Sequence, residues 1–233
     1  MFNFCRNYQV QGLGGNSHPH RECRFERATV QANRSIVNTL DADIRCTERL
    51  HKFKVKHFAD SLCGQRFIKS GATVLDIGAG AGFPSLPIKI IRDDIDLTLI
   101  DSVNKKVGFL NEVIRALNLN NARALHTRVE DFPKKESFDI VLSRAVASLN
   151  TLCEYALPFV KVGGLFIAYK SEKTEEEIEL AKNALLILGG KIVDTTTEQV
   201  QDGIVRRLIV IEKVKNSPAK YPRSKNLPRV KPL

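Results

Sequence analysis

The sequence predicts an α/β protein, a mostly parallel seven-stranded sheet covered by helices on both faces and ending in an antiparallel hairpin. Three observations predict it. From Thr73 onward, short apolar runs alternate with longer amphipathic ones, the rhythm of strands joined by helical crossovers. The first run, Val74-Leu75-Asp76-Ile77, leads directly into Gly78-Ala79-Gly80-Ala81-Gly82-Phe83-Pro84, a strand, tight turn and helix start. The last two β-branched runs, 191–197 and 204–212, are separated only by the polar turn Gln201-Asp202-Gly203, so they pair antiparallel.

Each element has its own signal. Residues 73–77 form an apolar strand, and prolines at 84 and 87 start a helix over 86–91. Residues 96–100 are a second strand ending next to Asp101, and 105–117 an amphipathic helix. Short runs at 122–126 and 138–142 give two more strands. A helix over 149–158, a strand over 164–169 and a helix over 174–188 with a charged outer face follow. Residues 1–54 show no clean period, and only 30–50 hint at a helix. The chain therefore divides into a divergent N-terminal segment (1–54), a catalytic-type α/β domain (55–212) and a basic tail (213–233).

With 233 residues, 43% of them hydrophobic, the chain can bury one good core. No apolar segment reaches the roughly 18 residues of a bilayer span, and the start lacks a signal peptide's apolar core. A cytoplasmic protein without membrane contact is expected. Five cysteines at 5, 23, 46, 63 and 153, with no C-x-x-C pair, argue against a disulfide framework or a zinc ribbon. His18, His20 and Cys23 lack a fourth ligand at sensible spacing, so no metal is expected. Cys153 falls inside a predicted helix and reads as core.

Net charge is +10, and seven of the cations lie in the acid-free stretch 213–233. Such a tail seeks a polyanion, most simply nucleic acid, or else is a solvated terminus. Tyr221, Pro222, Leu227, Pro228 and Leu233 are too apolar for a purely solvating role.

The glycine loop reads as a ligand cradle, because residues without Cβ let backbone N–H groups approach a ligand closely. Dinucleotides want G-x-G-x-x-G, whereas Gly78, Gly80 and Gly82 follow G-x-G-x-G after Asp76. That spacing, with the terminal hairpin, fits the Rossmann-like class I S-adenosylmethionine-dependent methyltransferase fold; an ordinary βα turn is the plain alternative. Asp101 at the second strand's tip is placed to accept hydrogen bonds from both ribose hydroxyls, unless it caps the following helix. Val129-Glu130-Asp131 follow the third strand at the same sheet edge, where an adenine rests, or are simply solvated acids. Ser143-Arg144-Ala145 follows the fourth strand, facing the transferred methyl. It is neither the D/N-P-P-aromatic signature of amine methylation nor a proline–cysteine nucleophile.

Five motifs in order resemble one family. His57-Phe58-Ala59-Asp60-Ser61-Leu62, the loop from Asp76 to Pro84, Asp101-Ser102 with Lys105-Lys106-Val107-Gly108-Phe109-Leu110, Ser143-Arg144-Ala145, and the ending Tyr221-Pro222-Arg223 with Pro228 to Leu233 are similar to those of the RsmG (GidB) family of bacterial 16S ribosomal RNA guanine-N7 methyltransferases. The resemblance covers residues 55–233. It implies S-adenosyl-L-methionine as donor, held by Asp76, Gly78, Gly80, Gly82, Phe83, Asp101, Val129, Glu130 and Arg144. It implies Arg144 and Lys170 at the reacting centre, and RNA contacts from Lys105, Lys106, Arg223, Arg229 and Lys231. The implied partner is 16S ribosomal RNA or the small ribosomal subunit, met by a monomer. Ser171 and Asn226 stand where the family usually has glycine, and its N-terminal W-N-x-x-x-N-L-T motif is absent. Asn226 tolerates left-handed backbone angles.

Guanine N7 carries a lone pair and no proton, so its methylation needs no general base, and positioning supplies most of the rate. Two rival readings stand beside this one. A non-catalytic RNA-binding module would keep the fold and lose donor affinity, and a dinucleotide-dependent oxidoreductase would bind NADH instead.

Overall fold

The computed structural model describes residues 54–144, 146–170, 174–200 and 204–233. The expected helix at 30–50, the metal-like trio at 18–23, the polar turn at 201–203 and Ser171 lie outside them.

Helical turns Lys54–Ala59, Asp60–Leu62 and Cys63–Phe67 lead into the sheet. The elements that follow are β1 (Thr73–Ile77), α1 (Ser85–Ile91), β2 (Asp96–Asp101), α2 (Asn104–Ala116), β3 (Ala122–His126) and β4 (Phe138–Arg144). Then come α3 (Leu149–Ala156), β5 (Val160–Lys170), α4 (Thr174–Leu188), β6 (Gly190–Val200) and β7 (Ile204–Lys213). The sheet order is β3-β2-β1-β4-β5-β7-β6. Strands β1 to β5 pair in parallel, while β7 runs antiparallel to both β5 and β6. The order reverses between β1 and β4, so the crevice at their C-terminal tips is where a ligand of this architecture sits.

Strand alternation sorts the core onto two faces. Leu75 and Ile77 pack with Leu152 and Cys153 of α3 and Leu185 of α4, whereas Val74 packs on the other face with Ile88 of α1 and Val107 and Leu110 of α2. Asp76 shares the second face with Val74 and is fully buried there. Helix α4 opens with Glu175, Glu176 and Glu177, which complement its positive N-terminal end.

Several element ends differ from the sequence expectation for local reasons. β5 begins at Val160, upstream of Gly163 (φ 83°) and Gly164. The pairing with β4 shifts register between Phe138 and Ile140, so these glycines mark an irregularity inside a strand and not its start. Pro158 lies in a 3-10 turn, Leu157–Phe159, beyond α3. Lys213 is the buried last residue of β7, so the boundary placed at 212 falls inside a strand. The tail beyond it packs back on the domain, with Tyr221 4% exposed and Leu233 against the same core cluster.

Candidate active site

The crevice at the switch point is a cleft of about 780 Å³, within the range of small-ligand sites. Its floor is the turn after β1. The N–H groups of Gly78 and Ala79 donate to the Ile100 carbonyl at 2.9 and 3.1 Å, which docks the turn on β2. Gly78, Gly80 and Gly82 have φ of 68°, 58° and 92°, the left-handed region that favours glycine. A Cβ on Gly78 would come within 2.7 Å of Val146 Cγ2, so the bare backbone keeps this corner of the cleft open.

The three glycines divide the work. Gly78 and Gly80 line the cleft, and Gly82 does not. A Cβ on Gly82 would lie 2.3 Å from Leu86 Cδ1, so this glycine serves close packing of α1 against the turn. Gly82, expected among the ligand contacts, packs against α1 in this structure. Asp76 lies beneath the loop, outside the cleft wall. Ser85 Oγ donates to its Oδ2 at 2.5 Å. Its Oδ1 is buried without a partner among the described residues. Burial pushes the carboxyl up to about 7, against the Ser85 hydrogen bond and the Arg144 charge, which pull it down.

Asp101 closes β2 and lines the cleft. Its Oδ2 accepts from Gly80 N at 3.0 Å and its Oδ1 from Val103 N at 2.9 Å. The carboxylate thus braces the glycine turn to the start of α2. It is not the cap residue of that helix, which is Val103. Lys106 Nζ stands 3.8 Å away and lines the same wall, while Lys105 is exposed outside it. Val129 and Glu130, in the turn after β3, form the opposite end; the Glu130 side chain is nearly buried and pairs with Arg128 at 3.2 Å. Asp131 is outside the cleft wall.

Arg144, the last residue of β4, marks the far end. Its Nη1 donates to Asp60 Oδ2 at 2.8 Å and its Nη2 to His57 Nδ1 at 3.2 Å. The guanidinium also lies 5.2 Å from the centroid of the Phe83 ring, which touches the His57 ring in turn. The H-F-x-D-S-L segment is thereby brought to the site, a role sequence reasoning left unassigned although it singled out the motif. Ser143 Oγ donates to the Ile77 carbonyl at 3.2 Å, joining the tips of β4 and β1.

Two other expected positions lie apart from the cleft wall. Lys170 Nζ is bound to Glu177 at 2.6 Å and to the Ala147 carbonyl at 2.7 Å, nearly buried and outside the cleft wall. Its charge fixes the start of α4 to the corner after β4. Arg223 is bound bidentately to the buried Glu154, at 2.8 Å from Nε and 2.5 Å from Nη2, so its guanidinium holds the fold. Of the remaining tail cations, Arg229 is in the cleft wall and Lys231 is exposed away from it.

Bare backbone at one strand tip, a carboxylate at the next and apolar side chains between them, Ile77, Val129 and Val146, suit a ligand with a diol, a flat apolar ring and a polar chain. Over residues 41–208 the chain matches the sequence profile of the family described as rRNA small subunit methyltransferase G, GidB. The chain belongs to this family. Relatives of the GidB family named ribosomal RNA small subunit methyltransferase G include one from Desulforamulus reducens, 48% identical over 188 residues, which cover 77% of this chain and 78% of that one. Another, from Staphylococcus saprophyticus, is 44% identical over 189 residues, 78% and 79% of the two chains.

Solved structures share the fold with this GidB-family chain. A SAM-dependent methyltransferase from Aquifex aeolicus superposes with a TM-score of 0.54 at 18% identity, covering 70% of this chain and 93% of that one. M. jannaschii TYW2, solved in complex with AdoMet, gives 0.55 at 20% identity over 67% and 76%. The sheet is the Rossmann-like class I methyltransferase sheet, with its terminal antiparallel pair. Among the described residues no group of three or more His, Cys, Asp or Glu side chains is placed to hold a metal ion, and no helix is long and apolar enough to cross a membrane.

Proposed function

We propose that this protein transfers a methyl group from S-adenosylmethionine to N7 of a guanine in the 16S RNA of the small ribosomal subunit. The observation that carries the reading is the pairing of the bare turn Gly78–Gly80 with the Asp101 carboxylate, 3.0 Å from Gly80 N to Oδ2, at the sheet's switch point in a GidB-family chain. When bound, S-adenosylmethionine supplies an electrophilic methyl on a sulfonium.

The chain's own residues fit that donor. The turn leaves room, beside Gly78, that any Cβ would fill. Asp101 lines the cleft with each oxygen accepting one backbone N–H, and a carboxylate oxygen has a second lone pair to which a ribose hydroxyl can donate; Val129 and Ile77 offer apolar surface to a ring, and Glu130 stands beside them. Phe83 and Arg144 close the end nearest β4. Arg144 is fixed on two sides by Asp60 and His57, which pre-orients it to donate to an acceptor on the target base.

N7 has no proton to lose, so no general base is required of the cleft. Asp101 is held by two backbone N–H groups and Glu130 pairs with Arg128, an arrangement that positions them and does not free either as a base. Rate then comes from holding the base in line with the methyl. Lys106 and Arg128 at the rim and the exposed Lys105 and Lys231 give the RNA backbone a cationic approach. Since N7 is hidden in the narrow major groove of an RNA helix, an unpaired base or an assembly intermediate is the substrate. The chain acts as a monomer in the cytoplasm, without a metal.

The test is transfer from tritiated donor to free 16S RNA, to isolated small subunits and to RNA lacking guanine at candidate loops. Label released as 7-methylguanine is the expected result. Label confined to adenine or to protein contradicts the proposal, and RNA binding without donor binding supports the rival non-catalytic module.

A further inference from the structure

The C-terminal segment, which charge alone assigns to RNA, builds a wall of the cleft. Tyr221 anchors it in the core. Arg223 then locks onto Glu154, fully buried on α3, through its own N–H at 2.9 Å as well as its guanidinium, and its Nη2 also holds the Lys231 carbonyl at 2.8 Å. Thr151 of α3 donates from Oγ1 to the Pro228 carbonyl at 3.1 Å. Between these anchors Asn226 adopts φ 57°, the left-handed turn that starts the helical turn Leu227–Val230.

That turn reaches both ends of the cleft. The Asn226 N–H donates to Glu130 Oε1 at 3.3 Å, in the turn after β3. Arg229 Nη2 donates to the Val146 carbonyl at 3.0 Å, in the corner after β4. Asn226, Arg229 and Tyr155 all line the cleft. The segment therefore ties together two loops that the sheet alone leaves independent. A buried Glu154 costs heavily unless its partner is present, so the Arg223 anchor holds the wall in one place.

We infer that residues 214–233 form a strap of the donor site, in which Asn226 and Arg229 are donor-binding residues and Arg223 with Glu154 is the latch that positions them. The inference rests on the methyltransferase reading of the cleft. Donor is favoured over RNA as the ligand of Arg229, because its guanidinium is held on the Val146 carbonyl and the residue lines the cleft. The exposed cations Lys215, Lys220, Lys225 and Lys231 leave RNA its own contacts.

Calorimetric titration of the full chain with S-adenosylhomocysteine, alongside filter binding of a 16S RNA transcript, tests this. Arg229→Ala is expected to weaken S-adenosylhomocysteine binding about three- to tenfold, the loss of one hydrogen-bonding side chain, with RNA affinity within about twofold. The double change Arg223→Met with Glu154→Leu, which removes the latch without stranding a charge, is expected to weaken it similarly. Combined with Arg229→Ala, it should add less than the product of the two effects. Unchanged S-adenosylhomocysteine affinity in Arg229→Ala overturns the strap, most clearly if RNA affinity falls instead. That single variant decides the matter even where the latch variant does not fold. Absence of binding by the unaltered chain overturns the methyltransferase reading together with the strap, whereas binding by it isolates any failure to the strap.

Discussion

Arg144 and Asp60 form a nearly buried ion pair at 2.8 Å, with side-chain exposures of 17% and 1%. It joins the tip of β4 to the helical turns ahead of β1, so the placement of Arg144 in the cleft depends on a segment 84 positions away in sequence.

Asp60 is accordingly a positioning residue for Arg144. Asp60→Asn keeps the shape and removes the charge, and is expected to lower the single-turnover rate by roughly 10- to 100-fold, the 1.5–3 kcal/mol of a charge-assisted hydrogen bond. Donor affinity should change little. In a cycle with Arg144→Lys the two effects should be strongly non-additive, and additive effects would count against the coupling.

Asp101→Ala removes the acceptor of the Gly80 and Val103 N–H groups as well as the proposed ribose ligand. The expected outcome is a dissociation constant for S-adenosylhomocysteine raised by roughly 10- to 100-fold with RNA affinity retained. Calorimetry and filter binding on the same preparation check both halves.

The raised carboxyl of Asp76 predicts a pH dependence of stability with a definite sign. Below about 4, the value of the unfolded carboxyl, both states are protonated and the stability is fully present. As pH rises toward about 7, the native state keeps a proton that the unfolded chain has released, so stability falls and levels off above that value. The total is on the order of a few kcal/mol. Urea midpoints measured between about pH 4 and about pH 8 should show the decline, and Asp76→Asn should flatten it.

Lys231 is exposed and outside the cleft. Lys231→Ala is expected to weaken 16S RNA binding and to reduce the slope of log affinity against log salt by about one, with S-adenosylhomocysteine binding untouched. A slope identical to that of the unaltered chain would remove Lys231 from the RNA surface.

Local periodicity made the sheet legible. β1, β3 and α4 occupy the residues their apolar patterns predict, because burial on one or both faces dictates the side chains there. The glycine turn was legible as a cradle, yet the separate duty of Gly82 was not, since only the approach of Leu86 to its Cα distinguishes packing from ligand contact. The sequence did not reveal the ion pairs of Lys170 and Arg223, for one reason. A cation's role depends on the acid it meets in space, and Glu154 lies 69 positions from Arg223. Lys213 likewise counted as tail charge, although it ends β7 with its Nζ 2.8 Å from Ser217 Oγ. The contribution of His57 and Asp60 was announced by their motif, but its destination at Arg144 emerges only when the β4 tip is brought beside them.

The central claim is tested most directly by mass mapping of the methylated nucleotides in 16S RNA from cells with and without this protein. The account predicts one 7-methylguanosine that is present with the protein, absent without it, and lost again when Asp101→Ala replaces the unaltered chain. An unchanged set of 7-methylguanosines in cells lacking the protein would contradict it.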